Sequence, residues 1–148
     1  MKITPHFTFE EMTTTDHKEY KSSVELLAKE NTDKLTALCW HLEALRAIVQ
    51  SPLVITSGVR PKELNKKIGG SATSQHIKVE AVDFIPKEKS AIMSFNEICK
   101  SGYPFGQLIL EKRGIGYIIH FGTGTKREML YSSKLGKYEP YDLSKLGV

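Results

Sequence analysis

Apolar positions recur along this chain with two different periods. Between Thr32 and Val49, the residues Leu35, Leu38, Cys39, Leu42, Leu45 and Val49 return every three or four positions, which predicts a helix with one buried face. Thr32 or Asn31 supplies its N-cap. Residues 22–31 predict a shorter helix. Residues 89–100 predict another, with Ile92, Phe95, Ile98 and Cys99 as its apolar stripe. Leu53–Ser57 is a β-branched run stopped by Gly58, and residues 80–85 form a second apolar run; both predict strands. Residues 105–111 and 117–122 are apolar runs joined by Lys112-Arg-Gly-Ile-Gly116, the pattern of a hairpin whose turn uses glycine. Residues 128–131 add a last strand.

Punctuation residues complete the outline. Phe7-Thr-Phe-Glu-Glu-Met12 reads as a short arm with Thr8 as N-cap before acidic first-turn residues. Pro61, at a first helical position, opens a short helix to Ile68, which Gly69 and Gly70 close. The expected fold class is α+β, a small antiparallel sheet with helices packed on one face.

Length and composition narrow the picture. The 148 residues fit a single domain, residues 1–148, and 40% hydrophobic content suffices for a core. A metal in such a chain serves chemistry before structure. The net charge of +4 comes from 21 basic and 17 acidic residues, and the basic ones are scattered in short pairs such as Lys66-Lys67 and Lys112-Arg113. A nucleic-acid binder concentrates them in a stripe, so no nucleic-acid partner is expected. The scattered charges read first as ordinary solvated surface, and attraction to anionic wall polymers is the weaker reading of their sign. Cys39 and Cys99 have neither metal-ligand spacing nor a disulfide framework, and Cys39 is expected as a buried free thiol. The first residues lack the apolar core of a signal peptide, and no run is long enough to span a membrane. The expectation is a monomer made in the cytoplasm without a signal peptide.

His76, Asp83 and His120 carry the candidate chemistry. His76 ends a Ser/Thr/Gly loop, Asp83 follows inside an apolar strand where an unpaired carboxylate is costly, and His120 lies in the apolar run Tyr117-Ile-Ile-His-Phe121. Two imidazoles and one carboxylate match the three-ligand sets of catalytic zinc, which leave a fourth position for water. On residue type and spacing alone, however, a strand His with a buried Asp reads first as a hydrogen-bonded pair. The helical His-Glu-x-x-His signature is absent.

The surrounding wording changes that balance. Thr56-Ser-Gly-Val-Arg-Pro-Lys-Glu-Leu-Asn65, Ile68-Gly-Gly-Ser71 and Thr73-Ser-Gln-His-Ile-Lys-Val-Glu-Ala-Val-Asp-Phe84 resemble, in order, the motifs of the zinc D-Ala-D-Ala peptidase family, cell-wall relatives of the Hedgehog-type metallopeptidases. Phe105-Gly-Gln-Leu-Ile-Leu-Glu111 and Ile118-Ile-His120 continue the resemblance. The arm at 7–12 and Lys126-Arg-Glu-Met-Leu130 resemble the phage and Bacteroidetes-type branch.

The resemblance implies a Zn2+ cofactor held by His76, Asp83 and His120, and hydrolysis of peptidoglycan stem peptides or crosslinks. It implies that Arg60 holds a substrate carbonyl or carboxylate, a task suited to a guanidinium. Ser71, Ser74 and Gln75 either line the substrate groove or are loop polarity. Acting on the wall, such a chain would serve as a phage lysin or virion component. The alternative is a non-catalytic wall-binding or virion-associated domain that keeps the fold.

Three positions depart from the family pattern. Val79 stands where glycine is usual, and a β-branched residue tolerates neither positive φ nor close backbone approach well. Val59 replaces an aromatic before Arg60, and Ile118 replaces the usual Trp. The general base is a separate question. Tyr117 stands where several relatives carry an acid, and a phenol is a poor base at neutral pH. The resemblance makes Glu111, which matches the acid of the family's FDQLIxE motif, the best candidate; without it, Glu111 reads as an exposed strand-end acid beside Lys112. It shares a face with His120 only if the hairpin sets it opposite residue 116 or 118 rather than 117.

Overall fold

The computed structural model describes residues 1–134 and 137–141. Backbone contacts group the chain into two compact units, each assembled from separated stretches: 1–44 with 55–83, and 45–54 with 84–148.

In the first unit, β1 (Lys2–Thr4) and β2 (Phe7–Thr8) form a small antiparallel ribbon. Helix α1 (Phe9–Met12) follows directly. It forms despite its four residues because Thr8 and Glu11 make a reciprocal capping box: the Thr8 hydroxyl accepts from the Glu11 N–H at 3.1 Å, and the Glu11 carboxylate accepts from the Thr8 N–H at 3.0 Å. Met12 is fully buried. A 3-10 turn (Lys18–Tyr20) leads into α2 (Lys21–Lys29), which buries Val24 and Ala28. Helix α3 spans Thr32–Val49, and every residue of its predicted stripe is buried. The Asn31 carbonyl accepts the first helical bond, from the Leu35 N–H, while the Asn31 side chain donates back to the Leu27 carbonyl.

Strand β3 (Leu53–Ser57) has the predicted bounds. Pro61 is the N-cap of α4 (Lys62–Lys67) rather than its first residue, with extended backbone and a carbonyl that accepts from the Asn65 N–H at 2.9 Å. The predicted glycine stop is present: Gly69 has φ +79 and bonds back to Lys66. A chain of turns then carries residues 71–79 to β4 (Ala81–Pro86).

The second unit contains α5 (Ala91–Lys100), capped by the Ser90 hydroxyl, and four strands: β5 (Gln107–Arg113), β6 (Gly116–Gly122), β7 (Glu128–Lys134) and β8 (Lys137–Pro140). Phe95, Ile98, Phe105, Leu108, Leu110, Ile119 and Phe121 are its fully buried core. The six-stranded sheet has the order β3-β4-β6-β5-β7-β8.

The α+β class stands, and the expected antiparallel sheet is met in part: β5 pairs antiparallel with β6 and β7 with β8, but β7 runs parallel to β5, so the sheet is mixed. The cause is local. The link at 123–127 crosses the start of β5 at Gly106, where a Cβ would lie 2.3 Å from the Thr123 carbonyl oxygen. Arg127 then locks the crossing. Its N–H donates to the Phe105 carbonyl, its guanidinium reaches the Cys99 and Tyr103 carbonyls, and it stacks over the Phe105 ring.

Among the described residues, no helix is long and apolar enough to cross a membrane. Cys39 and Cys99 are free and buried, and burial pushes their thiols up to about 12 and about 11.

Candidate metal centre

The geometry begins with a carbonyl. His76, 2% exposed, directs Nδ1 at the Gly58 carbonyl oxygen at 2.8 Å. A carbonyl can only accept, so Nδ1 carries the proton. Nε2 is then the nitrogen left to take a metal or a second proton, and it faces Asp83 Oδ1 at 3.2 Å. Two acceptors so placed need a cation between or beside them, either a ring proton or a metal. An imidazole oriented through its far nitrogen by a carbonyl is the usual support of a metal-binding histidine.

The Gly58 carbonyl is itself fixed. A Cβ at Gly58 would stand 2.4 Å from the Met12 carbonyl oxygen, and that oxygen accepts from the Val59 N–H at 3.0 Å. Only glycine lets the end of α1 approach so closely. Val59, found here instead of an aromatic, is buried. The Ser74 hydroxyl accepts from the His76 N–H at 3.2 Å, and the Arg60 N–H donates to the His76 carbonyl at 3.3 Å. His76 is therefore held at ring and backbone by neighbours from three segments.

Asp83 is half-buried in β4, with Oδ2 lying 3.7 Å from an Arg60 guanidinium nitrogen. Arg60 also donates to the Ser57 hydroxyl at 3.0 Å and to the Asn65 side-chain oxygen at 3.3 Å. His120, 8% exposed, lies in β6 opposite Ile109. His76, Asp83 and His120 each offer one ligand atom, and these atoms all lie within 4.8 Å of one another, a grouping that could hold a metal ion. The donor set suits zinc.

The remaining candidates fall as follows. Glu111 pairs with Ile118, the register required for it to share a face with His120. Its side chain is 12% exposed, and the Arg113 guanidinium lies 3.5 Å from its carboxylate. Tyr117 pairs with Lys112 and so belongs to the other face of the hairpin. Ser71 is exposed and its hydroxyl lies 3.0 Å from that of Thr73, whereas Ser74 and Gln75 are half-buried beside His76. Val79 has φ +58 and is 2% exposed. The departure from glycine thus places a β-branched residue in left-handed backbone between two of the candidate ligands, at a cost of order 1–3 kcal/mol.

Sequence reasoning read Gly58 as the end of a strand and Met12 as part of the arm, and gave neither a role in the site. The signal was present in Gly58, a glycine directly after a strand, but not in Met12, whose contribution is a backbone oxygen.

The family model described as Peptidase M15 matches residues 5–120, well over half of the chain. This chain belongs to the Peptidase M15 family. M15 peptidases are metal-dependent, typically zinc enzymes, so membership and the His-Asp-His grouping point to the same chemistry. The match takes in all three members of the grouping, as well as Arg60 and Glu111. Comparison of this M15 sequence with curated proteins finds no match.

Proposed function

We propose that this M15 chain is a zinc peptidase of the D,D-carboxypeptidase/endopeptidase type, from the phage and Bacteroidetes-type branch, which hydrolyses peptide bonds in peptidoglycan stem peptides or crosslinks. The observation that carries the reading is the grouping of His76, Asp83 and His120 within a chain that belongs to a metal-dependent peptidase family. His76 and His120 would hold the ion through imidazole nitrogens and Asp83 through a carboxylate oxygen. Zinc in such a site lowers the pKa of a coordinated water toward about 7 and polarises a carbonyl.

The chain's own residues do the rest. Glu111 takes a proton from the attacking water at its carboxylate and delivers it to the leaving amine nitrogen. Arg60 holds the substrate's carbonyl or carboxylate oxygen with its guanidinium. Ser71, Ser74 and Gln75 contribute polar groups to the groove next to His76.

Purified sacculi test this directly. Muropeptide release that stops with a chelator and returns with zinc is the expected result. His76→Ala and His120→Ala should each abolish release and lose bound zinc while the fold remains. Tight wall binding with no release would replace the enzyme with a wall-binding module, and full zinc retention by both variants would remove the ligand assignment.

A further inference from the structure

Asn65 is a polar side chain on the buried side of α4, 2% exposed. A carboxamide in that position must satisfy both of its ends or cost stability. Its oxygen accepts from the Arg60 guanidinium at 3.3 Å, and its nitrogen donates to the Ser71 carbonyl at 2.7 Å. The Asn65 backbone carbonyl accepts from the Gly70 N–H at 2.8 Å. The space beside the carboxamide is closed by that same glycine, since a Cβ at Gly70 would lie 2.2 Å from the Asn65 side-chain oxygen. Gly70 is therefore required by Asn65 and not by the turn alone.

We propose that Asn65 is a positioning residue that sets Arg60 and the Ser71 end of the substrate loop in one fixed relation, using the two ends of a single carboxamide. The inference rests on the reading of Arg60 as a substrate-binding group. The residue type follows from the task. A neutral amide oxygen orients the guanidinium without neutralising it, and Ser57 supplies a second neutral acceptor at 3.0 Å. Asp83 Oδ2 already lies 3.7 Å from the guanidinium, so an aspartate at 65 would set a second carboxylate against Arg60, taking up further charge intended for the substrate oxygen, and would lose the donor to Ser71.

Two measurements test the proposal. In the first, 15N relaxation of the Arg60 Nε–H, assigned with Arg60→Lys, reports how firmly the guanidinium is held. It should be ordered in the wild-type protein and in Asn65→Asp, and mobile in Asn65→Ala. In the second, a double-variant cycle follows muropeptide release. Asn65→Ala should lower kcat/KM by about tenfold or more in the wild-type background and change it little once Arg60→Ala is present. Asn65→Asp should raise KM with a smaller effect on kcat. Gly70→Ala, which crowds the carboxamide and leaves every partner in place, should reproduce the Asn65→Ala mobility if Asn65→Ala itself folds poorly. An Arg60 that stays ordered in both Asn65→Ala and Gly70→Ala overturns the proposal, as do losses that multiply in the double variant. If the wild-type protein releases nothing from sacculi, the proposed activity fails, while the relaxation measurement still decides the positioning role.

Discussion

Glu111 and His120 lie on one face of the β5–β6 hairpin: Glu111 stands opposite Ile118, and His120 is the next residue but one along that strand. Ordinary sheet geometry sets such a diagonal pair roughly 7 Å apart at Cβ, close enough for a carboxylate to meet a water beside the imidazole. Glu111→Gln should therefore lower kcat by about 10²–10⁴-fold while zinc content and thermal midpoint stay near wild type. Metal analysis alongside sacculus digestion checks this, and an active variant would place the base elsewhere.

Val79 inverts the usual ranking of small residues. At an ordinary position, alanine stabilises relative to glycine by removing backbone freedom from the unfolded chain. At φ +58 an alanine keeps the left-handed strain and a glycine does not. Both replacements delete the same buried side chain, so their difference isolates the backbone. Val79→Gly should be more stable than Val79→Ala by about 1 kcal/mol in urea denaturation. The reverse order would mean that the left-handed backbone is absent in solution.

Gly58→Ala should weaken metal binding without altering a ligand. The added Cβ meets the Met12 carbonyl oxygen at 2.4 Å, a backbone atom that cannot swing aside, and the shift passes to the carbonyl that orients His76. A loss of about 10–100-fold in zinc affinity is expected, the size associated with supporting groups of metal ligands. Gly116→Ala is the control, since a methyl added there meets nothing within 4 Å and the backbone is not left-handed. Equal zinc affinities for the two variants would break the link from Met12 to the metal centre.

Acid stability should depend on Glu43. Burial raises its carboxyl pKa, but hydrogen bonds from the His6 ring and backbone N–H outweigh burial and hold it below the ordinary value of 4.5. A carboxyl lowered in the folded state contributes stability above its unfolded pKa and loses it as pH falls through the folded one. The stability gap between wild type and Glu43→Gln should therefore be widest near neutral pH and close below about pH 4. Denaturation curves across that range decide it; a constant gap would show that the carboxylate's charge plays no part.

What could be read from the sequence was what neighbouring residues encode together. The α3 stripe, the Thr8 N-cap, the bounds of β3 and the hairpin each depend on residues close in the chain, and each is present. The hairpin register could be posed as a condition but not resolved, because a slip of one residue leaves composition unchanged while turning Glu111 to the other face. Ribbon β1–β2 is too short to show a period. The parallel placement of β7 depends on how the link passes Gly106 and on backbone oxygens that bind Arg127, and atoms common to every residue leave no mark in a sequence. The same holds for the site: the ordered motifs around them, rather than residue type and spacing alone, indicated the three candidate ligands, whereas the two partners of Asn65, one of them a backbone carbonyl, left no trace in its motif.

The contact between Met12 and Gly58 also bears on how this protein can be handled. The first dozen residues form a short ribbon and one helical turn, an inviting place to trim a chain or attach a fusion partner. Yet α1 ends on the oxygen against which the Gly58 turn is seated, and that turn holds the His76 ring. A shortened protein would retain His76, Asp83 and His120 and still misplace one of them. A nick in the arm would disturb the support of the His76 ring without touching any of the three candidate ligands.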